Sequence, residues 1–164
     1  MKLLKSLIPY IVIIIVVVLL RSFIVTPIRV NGNSMHNTLA GGEIMLLNKL
    51  GHIDRYDIVV VNLDIEEENI IKRVIGMPGE TLEIINNEIF INGEIIEDKY
   101  GYYENEEYVM NTDKITLGEN EYYVLGDNRV VSLDSRIFGK VNKKDIKGTT
   151  NFIIFPFAKF GHVE

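Results

Sequence analysis

A chain of 164 residues has room for one domain plus a tail, and its 47% hydrophobic content is enough to build a core. The absence of Cys excludes disulfides, thiolate nucleophiles and Cys-based metal sites, and three scattered His with no paired spacing argue against zinc, so no cofactor and no metal are implied. A net charge of -6 lacks the clustered cations that phosphate requires, which argues against a nucleic-acid partner.

The amino-terminal segment carries Lys2, Lys5 and Arg21 and no acid as far as Val25. Leu7–Leu20 is an unbroken uncharged run, nearly all aliphatic, flanked by Leu3-Leu4 and Phe23-Ile24-Val25. With Lys5 and Arg21 placed to snorkel, Leu3–Val25 is long enough to cross a bilayer as a helix. Arg21–Val30 holds no Ala or Gly, which disfavours a cleavage site. The pattern favours a retained signal anchor; a cleaved signal segment and a buried core helix are the alternatives. Lys2 and Lys5 in a short leader place the N-terminus in the cytoplasm and the domain from Thr26 onward outside the cell membrane. The expected division is 1–25 as leader and anchor and 26–164 as the extracytoplasmic domain, with residues 82–122 as a smaller subdomain.

Beyond residue 30 no helical period of useful length emerges, and strand patterns dominate: Asp57–Asn62, Ile70–Ile75, Leu82–Ile85, Glu88–Ile91, Glu121–Leu125 and Asn151–Phe155. Asn86-Asn87 and Asn92-Gly93 are two-residue hairpin turns, and Pro78-Gly79 marks another turn. Lys99–Lys114 is polar and rich in Tyr, Glu and Asn, an expected surface excursion. The expected fold is mainly β: an irregular antiparallel barrel or sandwich with a small inserted β subdomain, preceded by one transmembrane helix.

With no Cys, a hydrolytic nucleophile must be Ser or Thr. Ser34 lies in Asn31-Gly32-Asn33-Ser34-Met35, a turn-prone stretch after the strand-like Ile28-Arg29-Val30. A Ser on a sharp turn can aim its hydroxyl and its backbone N–H at one point, where an oxyanion could form; the plain alternative is an ordinary turn Ser. His36, His52 and His162 are expected at the surface. Lys72 stands in the strand Ile70-Ile71-Lys72-Arg73-Val74-Ile75, where period two sets Lys72 with Ile70 and Val74, and Arg73 with Ile71 and Ile75. Desolvation among aliphatics disfavours an ammonium, so Lys72 could serve as a neutral base, which Arg73 cannot. The alternative is a Lys snorkelling from a sheet edge. Gly126–Arg136 is a dense polar loop in which Asp134 and Arg136 could pair and Ser132 could orient an amine.

In combination these segments resemble the type I signal peptidases, in order along almost the whole chain. Gly32–Leu39 resembles the nucleophile box, Arg55–Val60 the next strand, Lys72–Glu80 the general-base box and Gly126–Arg136 with Phe138-Gly139 the last box. One anchor with a short leader resembles the Gram-positive form. The resemblance implies a serine endopeptidase with a Ser34–Lys72 dyad that removes signal peptides from secretory preproteins after small residues at -1 and -3. It implies that Ser132 holds the Lys72 amine, that Asp134, Arg136 and Arg73 form an ion-pair framework, and that Ile28, Val30, Met35, Leu39 and Ile71 line two shallow pockets where the substrate adds as a strand. The implied partners are signal peptides and the lipid bilayer near the secretion translocon. Three positions depart from the family pattern: Asn37 stands for the usual Pro, Tyr56 for the usual Gly, and Gly32 for the Ser that in some members supplies an oxyanion donor. Two rivals are a self-cleaving repressor-type Ser–Lys peptidase, which would lack the anchor and the last box, and an inactive membrane-anchored scaffold on the same fold, which would be expected to have lost Ser34 or Lys72.

Overall fold

The computed structural model describes residues 2–63, 69–105 and 107–163, with side chains from Leu7 onward. Helix α1 (Lys2–Phe23) is followed directly by strand β1 (Val25–Arg29), so the helix stops just short of the expected Val25. The side chains of Leu7–Leu20 are all exposed, with no core packed on them. Taking the described side chains alone, no helix is long and apolar enough to cross a membrane.

The body is mainly β. Its larger sheet uses β1, β2 (Ile44–Asn48), β3 (Ile58–Val61), β4 (Ile70–Gly76), β9 (Glu121–Leu125), β10 (Val141–Asn142) and β11 (Ile146–Phe155) in the order β1-β2-β11-β3-β4-β9-β10, with β12 (Gly161–His162) added to β11. Every pairing is antiparallel, and the sheet curls into a half-barrel. A second sheet, β7-β6-β5-β8, is built from β5 (Thr81–Ile85), β6 (Glu88–Ile91), β7 (Glu94–Ile96) and β8 (Thr112–Thr116).

Local chemistry explains these boundaries. Asn86 and Asn87 both take positive φ (49° and 71°), as do Asn92 and Gly93 (53° and 86°), giving the tight turns of the β5-β6-β7 meander. Pro27 has no N–H to donate and sits in β1, which pairs with β2 alone and forms the sheet edge. β11 is longer than the expected Asn151–Phe155 because register shifts let one strand bend between β3 and β2. β4 lies between β3 and β9, and everything in it after Ile70 is buried, including both cations. Three apolar clusters fill the body. One joins the Val30–Leu39 turn region to β2, β3 and β4; one lies under the second sheet; the third packs β3, β4 and β9 around Val59, Val74 and Val124.

Candidate active site

Between β1 and β2 the chain makes a loop with positive φ at Gly32, Asn37, Gly41 and Gly42, and Ser34 opens the tight turn within it. Asn37 at φ 96° explains why this turn does without the expected Pro, whose ring fixes a negative φ. Met35 and Leu39 anchor the turn in the core. Lys72 projects from the adjacent β4, 3% exposed, with Nζ 2.8 Å from Ser34 Oγ and 3.1 Å from its neighbour's carbonyl oxygen, Ile71 O. His36 instead rests against Tyr102, His52 lies beside Asp54, and His162 packs edge-on to Phe152.

The charged framework differs from the expected grouping of Arg73 with Asp134 and Arg136. Arg73 binds Asp127 through Nε (2.8 Å) and Nη2 (2.7 Å), and both side chains are buried. Asp127 also accepts the Thr38 hydroxyl at 2.5 Å, which ties the Ser34 turn to β4 through Arg73. Asn128 N–H donates to Ser34 O at 3.0 Å, so the last loop grips the turn from a second side. Asp134 and Arg136 do pair, through two bonds of 2.7 and 2.6 Å, as a separate unit: Asp134 accepts Gly126 N–H, and Arg136 reaches Tyr108 OH and Arg129 O. Burial works against the Arg136 charge, but the Asp134 carboxylate outweighs it and raises the guanidinium pKa.

Ser132 Oγ is buried and, among the described residues, makes no hydrogen bond, so the expected bond to the Lys72 amine is not formed in this geometry. Ser132 still packs into the site: a Cβ at Gly126 would collide with Ser132 Oγ and Ser34 O, which is why that position has no side chain. Sequence reasoning assigned no role to Asp127, Thr38 or the Asp98–Arg129 ion pair, which docks the 97–103 segment on the same loop. Burial, then the Asp98 charge, pushes the neighbouring Tyr103 hydroxyl up to about 12.

A cleft of about 470 Å³ is lined by Ile28 and Arg29 of β1, Asn31, Val60 of β3, Asn62, Asn69 and Ile71 of β4, the residue before Lys72. Ile28 and Ile71 line this cleft. Val30, Met35 and Leu39 do not; they are packed in the core cluster that also holds Val60 and Ile71. Along the cleft, Ile70–Lys72 pair with β3 on one side, while β9 pairs with β4 from Arg73 onward. Among the described residues no three His, Asp or Glu side chains gather to hold a metal ion.

Comparisons with known proteins point to one family. A family model described as Signal peptidase, peptidase S26 matches residues 3–155. The chain is 37% identical to a signal peptidase I of Bacillus amyloliquefaciens, covering 85% of this chain and 78% of that one. It is 32% identical to signal peptidase IB of Staphylococcus aureus (strain Mu50 / ATCC 700699), covering 98% and 94%. A crystal structure of a signal peptidase I from Enterococcus faecalis V583 superposes with TM-score 0.53 at 32% identity, covering 60% of this chain and 97% of that one.

Proposed function

The chain belongs to the signal peptidase S26 family and is a serine peptidase, and from that premise we propose that it removes signal peptides from exported preproteins with Ser34 as nucleophile and Lys72 as general base. The observation that carries the reading is the 2.8 Å contact between Lys72 Nζ and Ser34 Oγ at a 3% exposed lysine. Burial disfavours the ammonium, and in its neutral form the amine can accept the Ser34 hydroxyl proton as Oγ attacks the scissile carbonyl. The Ser34 N–H faces the developing oxyanion. The Lys72 ammonium then protonates the leaving amine, an acyl-enzyme remains on Ser34, and water, deprotonated by Lys72, releases the signal peptide. The Arg73–Asp127–Thr38 chain holds the turn in register with β4, the Asp134–Arg136 pair shapes the last loop, and Ser132 fills the space behind Ser34.

The substrate lies in the cleft as an added strand between the β1 edge and Ile70–Lys72. Its -1 and -3 side chains point the same way, toward Ile28 and Ile71, and small residues fit there. On this reading residues 1–25 form the cytoplasmic leader and membrane anchor. Residues 26–164 form the peptidase domain on the outer face near the translocon, with 82–122 as its smaller subdomain.

The test is incubation of the detergent-solubilised chain with one secretory preprotein, followed by N-terminal sequencing of the product. A single cut after a small residue, lost in Ser34→Ala, is the expected result. No cleavage, or cleavage unchanged in Ser34→Ala, overturns the proposal.

A further inference from the structure

Tyr56 is a half-buried residue at φ 72°, a left-handed conformation that a bulky side chain rarely adopts and that glycine adopts freely. Its backbone makes two bonds that any residue could make: N–H to Val74 O, and its carbonyl oxygen accepting Arg73 Nη1, both at 2.8 Å. The side chain does something else. Its hydroxyl donates to Glu97 O at 3.0 Å, its ring tilts against Tyr100 at 5.7 Å, and Lys99 Nζ lies 5.6 Å from its centroid. All three contacts fall on the Glu97–Tyr102 segment.

That segment covers the charged framework of the site. The Tyr100 ring lies against the Arg73 guanidinium, 3.6 Å from Cζ to centroid. Tyr102 N–H donates to Asp127 O at 2.7 Å, and Tyr102 O accepts Arg129 N–H at 3.0 Å. Asp98 pairs with the fully buried Arg129. Arg73 in turn holds Asp127, which takes the Thr38 hydroxyl of the nucleophile turn, while Asn128 N–H holds Ser34 O. The contacts are therefore continuous from the Tyr56 ring to the Ser34 turn.

We propose that Tyr56 is a positioning residue for the peptidase reaction, clasping Glu97–Tyr102 onto Arg73 and so keeping the Ser34 turn aligned with Lys72. This rests on the reading of Ser34 and Lys72 as the dyad. A left-handed backbone is retained here because the side chain at this position is the clasp. Glycine would keep both backbone bonds and lose the clasp together with the ring's packing against the core cluster under the second sheet, so stability and kcat are read separately.

The test compares Tyr56→Gly, Tyr56→Phe and Tyr56→Asn with wild type and Ser34→Ala, in detergent, on one preprotein. Tyr56→Gly relieves the left-handed backbone but gives up the ring's packing against the second-sheet cluster, so its thermal melt is measured beside each kcat. Its kcat should fall on the order of tenfold, because small misalignments of a nucleophile are costly. KM should hold, because the cleft residues Ile28, Val60 and Ile71 are untouched. Amide exchange over 97–102 should accelerate in parallel. Tyr56→Phe keeps the ring contacts and should retain most of kcat. Tyr56→Asn tolerates the left-handed backbone but cannot clasp, so it should match Tyr56→Gly and covers the case in which that variant folds poorly. A wild-type kcat in both Gly and Asn variants, or a kcat loss without faster amide exchange over 97–102, overturns the inference while an inactive Ser34→Ala leaves the dyad standing. An active Ser34→Ala overturns the dyad itself and the inference with it.

Discussion

Replacing Asp127 by Asn removes the negative partner of a guanidinium that water hardly reaches. The Arg73 and Asp127 side chains are 1% and 0% exposed, and the carboxylate takes Arg73 Nε, Arg73 Nη2 and the Thr38 hydroxyl at 2.8, 2.7 and 2.5 Å. An asparagine keeps one acceptor oxygen and turns an N–H₂ group toward a donor. Breaking one side of a buried pair costs about 3–5 kcal/mol, because the remaining charge is uncompensated. Arg73 keeps Tyr56 O and the Tyr100 ring, so the lower end applies, about 3 kcal/mol. At about 2–4 °C per kcal/mol for a chain of this size, Tm should drop by about 6–12 °C. Circular dichroism melts of the detergent-solubilised chain measure this directly. The double variant Arg73→Met/Asp127→Leu should be less destabilised than the sum of its single variants, since it leaves no stranded charge. A Tm for Asp127→Asn within about 2 °C of wild type, or strict additivity in the double variant, would refute the reasoning.

Ser34→Ala should abolish preprotein cleavage with an unchanged melt, and residual activity near wild type would remove Ser34 as nucleophile. Lys72→Arg should be inactive because guanidinium stays charged, and wild-type kcat/KM should rise with pH along a limb below the ~10.4 of an exposed lysine; a profile that disappears in His36→Ala would point to a different base. Leu at -1 or -3 of one preprotein should lower kcat/KM on the order of a hundredfold, with little effect at -2, and equal cleavage of all three would remove the paired-pocket geometry. Burial alone would raise the Glu43 carboxyl, but the Lys159 ammonium at 2.7 Å and the backbone N–H groups of Glu43 and Ala40 hold it below its usual range. A depressed folded pKa gives stability that is full above the unfolded value of ~4.3 and lost as pH falls through the folded one, so the Tm gap between wild type and Glu43→Gln should be largest near neutrality and shrink on acidification; a gap that widens in acid contradicts this sign.

The legible parts of the sequence were those governed by local chemistry. Asn-Asn and Asn-Gly announce left-handed turns, and the aliphatic run around Lys72 announces a buried strand cation. β2 was missed because Ile44-Met45-Leu46-Leu47 neither alternates nor contains more than one β-branched residue, so its period does not separate strand from helix. β8 was hidden in a polar stretch because Ile115 is the one apolar residue of Thr112–Thr116, so no alternation shows. The pairing of charges was the least legible. Asp127 and Asp134 share one loop with Arg129 and Arg136, and which carboxylate reaches Arg73 depends on the path that the loop takes beside β4. Asp98 pairs with Arg129 across 31 positions of sequence, a contact made by the docking of a whole segment.

The misplaced pocket residues bear on specificity. Val30, Met35 and Leu39 were expected to line the cleft, yet they are 2%, 2% and 0% exposed and packed among Met45, Leu47 and Ile58. They are therefore the floor behind the cleft wall. A side chain that lines an open groove can rotate aside for a larger guest, whereas one locked in a close-packed core cannot without disturbing its neighbours. Ile71 belongs to both the wall and the core cluster, and Ile28 packs against that cluster from the edge strand. The wall facing a bound strand thus has little freedom to retreat, and enlarging a residue at -1 or -3 would push against the same packing that holds Met35 next to Ser34. In the proposed reading, a bulky residue at either position misplaces the nucleophile as well as straining the pocket. Selection for small residues would then be felt in kcat as much as in KM.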